Sequence, residues 1–184
     1  MRKLFVTAVV VCAVALTFST ALAQSPVGLK AIGVEAGWVS PENIDATWGI
    51  GAFFDVGMPM SNLYVVPFVD YWSKSESIVG GTGDFTYSDL AIGGRLKYAI
   101  PTAMPTFQPY IGAGLAAHIL KAEWDGASQL IGNLDLSETK IGYLFGGGMS
   151  FNVHERVDLV TEAWYGVVEN FNQTTVKGGF AIRL

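Results

Sequence analysis

The sequence predicts an all-β fold, an eight-stranded antiparallel up-and-down transmembrane β-barrel, on three observations. The chain of 184 residues is 51% hydrophobic and only 15% charged, against about 25% charged in an average soluble domain. Beyond the N-terminal run from Leu4 to Phe18, no segment approaches the roughly 20 consecutive apolar residues that a spanning helix needs. The rest divides into eight stretches that alternate with a period of two, the mark of strands with two unlike faces. With spanning helices excluded, a closed barrel is the remaining structure that crosses a bilayer with every backbone group paired.

The chain opens with Arg2 and Lys3, an apolar core, and Ala21-Leu22-Ala23 ahead of Gln24, the three parts of a cleaved secretory signal. Cleavage is expected after Ala23, so residues 1–23 are a signal peptide and residues 24–184 the barrel domain. Cys12, the sole cysteine, lies inside the signal, and Val9-Val10-Val11 before it lack the small residues expected ahead of a lipidated cysteine. The mature chain then has no thiol, disulfide or lipid anchor. Loss of Arg2 and Lys3 leaves 9 basic residues against 16 acidic, and the formal charge moves from −5 to −7. With no basic patch to displace counterions from phosphates, nucleic-acid binding is disfavoured. No Pro/Ser-rich linker or charge run divides the mature chain, so one domain is expected.

The first stretch, Leu29 to Val39, sets Ile32, Val34, Ala36 and Trp38 against Gly33, Glu35 and Gly37. The second, Asp45 to Gly57, sets Trp48, Ile50, Ala52, Phe54 and Val56 against Thr47, Gly49, Gly51, Phe53 and Asp55, where only Phe53 breaks the pattern. The third, Leu63 to Lys74, is apolar on both faces except for Asp70, and the fourth, Phe85 to Ile100, sets Leu90, Ile92, Leu96 and Tyr98 against Asp89, Gly93, Arg95 and Lys97. In the fifth, Phe107 to Glu123, Ile111, Ala113, Leu115 and Ile119 alternate with Tyr110, Gly112, Gly114, Ala116 and His118; Ile111 is expected midway along its apolar face. In the sixth, Glu138 to Val153, Ile141, Tyr143, Phe145, Met149 and Phe151 alternate with Lys140, Gly142, Gly146, Gly148 and Ser150. The seventh, Arg156 to Val168, carries Arg156, Asp158, Glu162 and Gly166 opposite Val157, Leu159, Ala163, Tyr165 and Val167. The eighth, Gln173 to Leu184, carries Thr175, Lys177, Gly179, Ala181 and Arg183 opposite Val176, Gly178, Phe180, Ile182 and Leu184. An even number of strands of this length suits a tilted barrel across the hydrocarbon layer.

The links after the second, fourth and sixth stretches are short, while those after the odd stretches include the two longest, Ser75 to Asp84 and Trp124 to Ser137. With both chain ends in the periplasm, short links become periplasmic turns and long ones outer loops. Alternation alone leaves open whether the apolar face meets lipid or a soluble core. The composition of the other face decides it: Gly112, Gly114 and Ala116, then Gly142, Gly146 and Gly148, with widely spaced charges. Small residues suit the crowded interior of eight strands and not a solvated surface. The lumen is therefore expected to hold Glu35, Asp55, Asp70, Asp89, Asp158 and Glu162 against Arg95, Lys97, Lys140, Arg156, Lys177 and Arg183, six acids facing six bases. Balanced charges can form a hydrogen-bonded network where an unpaired one would be costly. Aromatic residues form two expected girdles at the bilayer interfaces. Trp38, Trp48, Tyr71, Trp72, Tyr87, Trp124 and Phe171 lie near the loop ends, and Tyr64, Tyr98, Phe107 and Phe151 near the turns.

Three segments carry a resemblance: Pro109-Tyr110-Ile111-Gly112-Ala113-Gly114-Leu115, Phe145-Gly146-Gly147-Gly148-Met149, and the terminal Gly178-Gly179-Phe180-Ala181-Ile182-Arg183-Leu184. They resemble the outer-membrane β-barrel family of small OmpA/OmpX-type and porin-like barrels, over essentially the whole mature chain. The terminal segment, with Gly178, Phe180, Ile182 and Leu184, looks like the C-terminal signal read by the barrel-assembly machinery, although such chains often end in Phe. The resemblance implies the outer membrane of a diderm bacterium, contact with its lipids including lipopolysaccharide, and passage through periplasmic chaperones to a monomeric barrel. It implies location much more strongly than activity.

No enzymatic chemistry is expected. Only His118 and His154 remain in the mature chain. A small-barrel lipid A deacylase would show His-x-Ser on a strand, and here the segment reads His118-Ile119-Leu120. His118 is expected in the lumen, bonded to a carboxylate. The dispersed carboxylates and two distant histidines match no metal spacing, and Gly80-Gly81-Thr82-Gly83 precedes no helix that would make it a phosphate cradle. No cofactor is expected. Three functions remain open: a narrow or closed barrel with a structural or surface-interaction role, its lumen closed by the charges with Phe53, Val66, Phe68 and Trp164; a small pore for slow diffusion of small solutes or apolar ligands; and a secreted soluble lipocalin-like binding barrel.

Overall fold

Period-two alternation becomes eight strands that close on themselves. The computed structural model describes residues 28–57, 60–77, 83–126, 134–169 and 171–184; the expected signal peptide and its cleavage site lie outside them. The strands are β1 (Gly28–Pro41), β2 (Thr47–Gly57), β3 (Leu63–Ser77), β4 (Gly83–Ala99), β5 (Phe107–Gly126), β6 (Leu134–His154), β7 (Val157–Val168) and β8 (Gln173–Arg183). Each pairs antiparallel with the next, and β1 pairs with β8 from Ala31↔Arg183 to Pro41↔Gln173. Closure leaves no open edge. Among the described residues no helix is long and apolar enough to cross a membrane.

The faces point as the composition of the small-residue face requires. Val34, Ile50, Leu115, Ile141, Phe145 and Phe180 are all more than half exposed on the outside of the barrel, while Glu35, Arg95, Lys97, Glu162 and Lys177 are buried inside it. This inverts a soluble protein and produces a continuous apolar outer band.

The two long links are shorter than the sequence predicts. Ser77 pairs with Asp84, and Trp124 with Leu134, so the ladders of β3 to β6 run on past the apolar band. Hydrogen-bonded pairing needs no lipid, and polar alternation in this stretch obscures where the strand ends. The two remaining loops of this end are clasped: Glu42 N donates to Asn172 O at 2.7 Å, and Asn172 Nδ2 to Glu42 Oε2 at 2.9 Å. Asn43, in the same β1–β2 loop, has φ 64°, a left-handed conformation that Asn tolerates better than most residues.

The girdles are thinner than expected. Trp38, Trp48 and Tyr71 are exposed on the outside near the loops, and Tyr98 near the turns, where Phe107 and Phe151 pack with ring centroids 5.2 Å apart. Trp72 instead occupies an inward position, buried and stacked on Phe171 at 6.0 Å. Tyr87 and Trp124 share the inner parity of β4 and β5, both meeting Phe85, and Tyr64 packs against the core. Strand parity, which proximity to a loop does not reveal, separates the two sets. Ile111 lies opposite Tyr98 of the turn-end girdle, so it stands nearer the interface than the middle of the band. Leu115, two strand repeats further from the turn, is the more central residue.

Candidate functional site

The site is the lumen at mid-barrel. Arg95 and Lys97 lie two residues apart on β4 and so share a face; Glu35 on β1, Asp70 on β3, Glu162 on β7 and Lys177 on β8 reach the same level. Arg95 Nη2 contacts Asp70 Oδ2 at 2.8 Å, and Arg95 Nη1 contacts Glu35 Oε1 at 3.5 Å and also Glu162 Oε1. Lys177 Nζ bridges Glu35 Oε1 at 3.2 Å and Asp70 Oδ1 at 2.7 Å. Lys97 Nζ donates to Glu162 Oε2 at 2.9 Å. Glu162 also accepts from Tyr110 Oη and Trp164 Nε1, both at 2.7 Å. Three carboxylates thus meet three cations, a neutral set in formal charge, with every carboxylate multiply contacted. Removal from water is tolerable only for charges paired in this way.

Aromatic faces complete the layer. The Arg95 guanidinium lies 4.0 Å from the Phe68 ring centroid and 4.9 Å from that of Trp164; Lys97 Nζ lies 5.0 Å from Phe53 and 4.6 Å from Tyr110. Phe53, Val66, Phe68 and Trp164 are all at most 3% exposed, so the cross-section is filled with side chains, as eight strands allow.

Glycine makes the space. Each of the six charged residues has a glycine directly across on a neighbouring strand: Glu35 and Asp70 face Gly51, Arg95 faces Gly114, Lys97 faces Gly112, Glu162 faces Gly148 and Lys177 faces Gly37. A Cβ at Gly51 would collide with Asp70 Oδ1 and come within 3.1 Å of Glu35 Cγ; at Gly148 it would lie 2.7 Å from Tyr110 Oη and 2.8 Å from Glu162 Cβ. The charge and glycine alternation in the sequence is therefore one feature, long side chains lying across bare backbone. Gly51→Val is expected to lower stability by about 1–3 kcal/mol through overpacking, measured as a shift in the urea midpoint for folding into lipid vesicles. An unchanged midpoint would show that the layer has slack.

The other six predicted lumen charges lie elsewhere. Asp55 is on the inner face nearer the turns, where it lines a cavity of about 460 Å³ with Lys97, Asp158 and Arg183. Asp158 and Arg183 pair at 3.4 Å at the turn end, where Arg183 Nη2 also donates to the carbonyls of His154 and Glu155. Arg156 is exposed in the β6–β7 turn. Lys140 is at the opposite rim, 3.3 Å from Glu138 and donating to Glu169 O at 3.1 Å. These charges share the inner parity but not the level, and parity alone carries no height. Asp89 forms a second buried group: His118 Nδ1 lies 2.8 Å from Asp89 Oδ2, Gln173 Nε2 donates to the same oxygen at 3.4 Å, and Trp72 Nε1 donates to Gln173 Oε1 at 3.1 Å. Gln173 and Trp72 were not legible as partners, because their contacts span 84 and 101 residues of chain. Gly178, Phe180, Ile182 and Leu184 lie together on the lipid side of the last strand and its end, with Phe180, Ile182 and Leu184 exposed.

Among the described residues no group of three or more His, Cys, Asp or Glu side chains could hold a metal ion. An apolar exterior around a charged, filled interior defines a membrane-spanning β-barrel, and the soluble lipocalin-like alternative is overturned by it, since that fold needs its apolar face within. The chain belongs to the outer membrane protein beta-barrel domain family, whose model matches residues 8–183. Such proteins reside in the outer membrane of Gram-negative bacteria and are generally not enzymes. Comparison with curated proteins finds no match. Among solved structures, the chain is similar to Neisserial surface protein A, at 22% identity and a TM-score of 0.58, covering 87% of this chain and 98% of that one. It is similar also to Ail, the attachment invasion locus protein of Yersinia pestis, solved with the heparin analogue sucrose octasulfate, at 19% identity and 0.52, covering 85% and 97%. A major outer membrane protein of Thermus thermophilus aligns at 10% identity and 0.67, covering 84% and 99%. At these identities the likeness is one of fold.

Proposed function

We propose that the protein is a closed structural barrel of the outer membrane whose contacts are made by its loop end, and that it neither conducts solutes nor catalyses a reaction. The single observation that carries this reading is the buried layer of three acids and three bases across the lumen, each pinned by at least two contacts or by an aromatic face. Opening it would strand charges in a narrow space. In this reading the signal is cleaved after Ala23, the chain travels with periplasmic chaperones, and the assembly machinery reads Gly178, Phe180, Ile182 and Leu184. The mature protein then stands as a monomer among outer-membrane lipids, lipopolysaccharide included.

Single-channel recording of the purified, refolded barrel in planar bilayers tests the reading, with heat-modifiable gel mobility as the folding control. A folded and electrically silent protein is expected. Steady openings above background would overturn the closed barrel in favour of a small pore, the reading supported by cavities on both sides of the charge layer.

A further inference from the structure

We infer that the vestibule at the loop end is a binding site for small organic cations with an aromatic or alkyl body. A cavity of about 520 Å³ lies inside the barrel on the loop side of the charge layer, within the size range of small-molecule sites, and its lining includes Ile44, Trp72, Tyr87, Leu120, Leu136 and Phe171. Trp72 is held by its Nε1 bond to Gln173 and by its stack on Phe171. These residues share the inner parity of their strands or belong to the loops above them, so the bilayer does not cover them. Leu136 is 62% exposed there. An apolar pocket in a watery mouth marks a place where something apolar binds.

Charge selects the sign of the occupant. Among the described residues the loop end carries Glu42, Asp45, Glu76, Asp84, Glu123, Glu138 and Glu169 against Lys74, Lys121 and Lys140. Lys140 is already engaged by Glu138 and by the carbonyl of Glu169. A cleft rimmed mainly by one sign of charge raises the local concentration of counter-ions, and the half-buried Tyr87, beside the buried Trp72 stacked on Phe171, adds aromatic surface that attracts cations. A phosphorylated lipid headgroup or an anionic solute would enter against this field. Two charged residues line the cavity: Lys121, exposed on the outer parity of β5, and Glu138, on the inner parity of β6 and 3.3 Å from Lys140, so the acid is the one that faces a ligand inside the barrel.

The inference deepens the loop-contact role proposed above by naming a ligand class, yet its readout is binding, not conductance. The full mature barrel in nanodiscs is titrated calorimetrically with (2-naphthylmethyl)trimethylammonium, with naphthalene-2-sulfonate as the anionic counterpart and empty nanodiscs as the blank. Saturable binding of the cation at one per barrel is expected, at least tenfold tighter than the sulfonate and weakened by added salt. Leu136→Arg, at an exposed position that leaves the strand pairing intact, is expected to weaken the cation at least tenfold, and Glu138→Gln by severalfold. Equal or tighter binding of the sulfonate, cation uptake no greater than by empty nanodiscs, or undiminished binding to L136R would each overturn the site. A silent barrel that fails these titrations would leave the closed lumen standing and remove the ligand; a conducting barrel that passes them would do the reverse.

Discussion

Arg95→Leu is expected to destabilise the folded barrel by about 3–5 kcal/mol, the cost of breaking a buried ion cluster by removing one partner. Arg95 is 2% exposed and, among the described residues, is the one cation in contact with Glu35, Asp70 and Glu162 together. Leucine would leave three carboxylates to two lysines, and would also empty the slot between the Phe68 and Trp164 rings. Arg95→Lys keeps the charge but not the planar fork, so it should recover only part of the loss. Arg156→Leu, in the exposed turn, serves as control and should move stability by no more than about 0.5 kcal/mol. Reversible unfolding in urea or guanidinium, with the protein in lipid vesicles, measures all three. A loss at Arg95 no larger than at Arg156 would refute the network as a stabilising unit.

The second large effect belongs to the outside of the barrel. Leu115→Arg is expected to cost about 2–4 kcal/mol, the penalty for a guanidinium facing lipid near the bilayer midplane, and that penalty falls to about 0–1 kcal/mol near the interface. Leu115 is 54% exposed and lies opposite Gly94 and Tyr143. Ile111, similarly exposed but paired with Tyr98 at the turn-end girdle, can send a long cationic side chain to the headgroups. Ile111→Arg should therefore cost clearly less than Leu115→Arg, although both replace one apolar residue on one face of one strand. The same vesicle assay reads the difference. Equal costs would place the bilayer centre elsewhere along β5.

The fold was legible because period two is a local property. Each strand could be recognised from its own residues, and its two faces told apart because Gly112, Gly114 and Ala116 could not be a solvated surface while Ile111, Ala113 and Leu115 could be a lipid one. Strand ends were less legible. Beyond the apolar band the contrast between faces fades, and only pairings such as Ser77↔Asp84 and Trp124↔Leu134 show that the ladder continues. The lumen charges were legible by parity and not by height. Lys140, Arg156 and Arg183 satisfy the alternation as well as Lys97 does, yet they sit at the rims, and Asp89 joins His118 and Gln173 in place of the mid-barrel cluster.

By itself the sequence determined the all-β class, the number of strands and which residues face lipid, because alternation and side-chain size act within a strand. Only the tertiary structure decided which six charges meet, that a glycine lies across from each, and that Trp72 and Phe171 stack on each other at the loop end of the lumen. The register between strands sets those heights, and it depends on pairings as distant as Ala31 with Arg183, which no local pattern encodes.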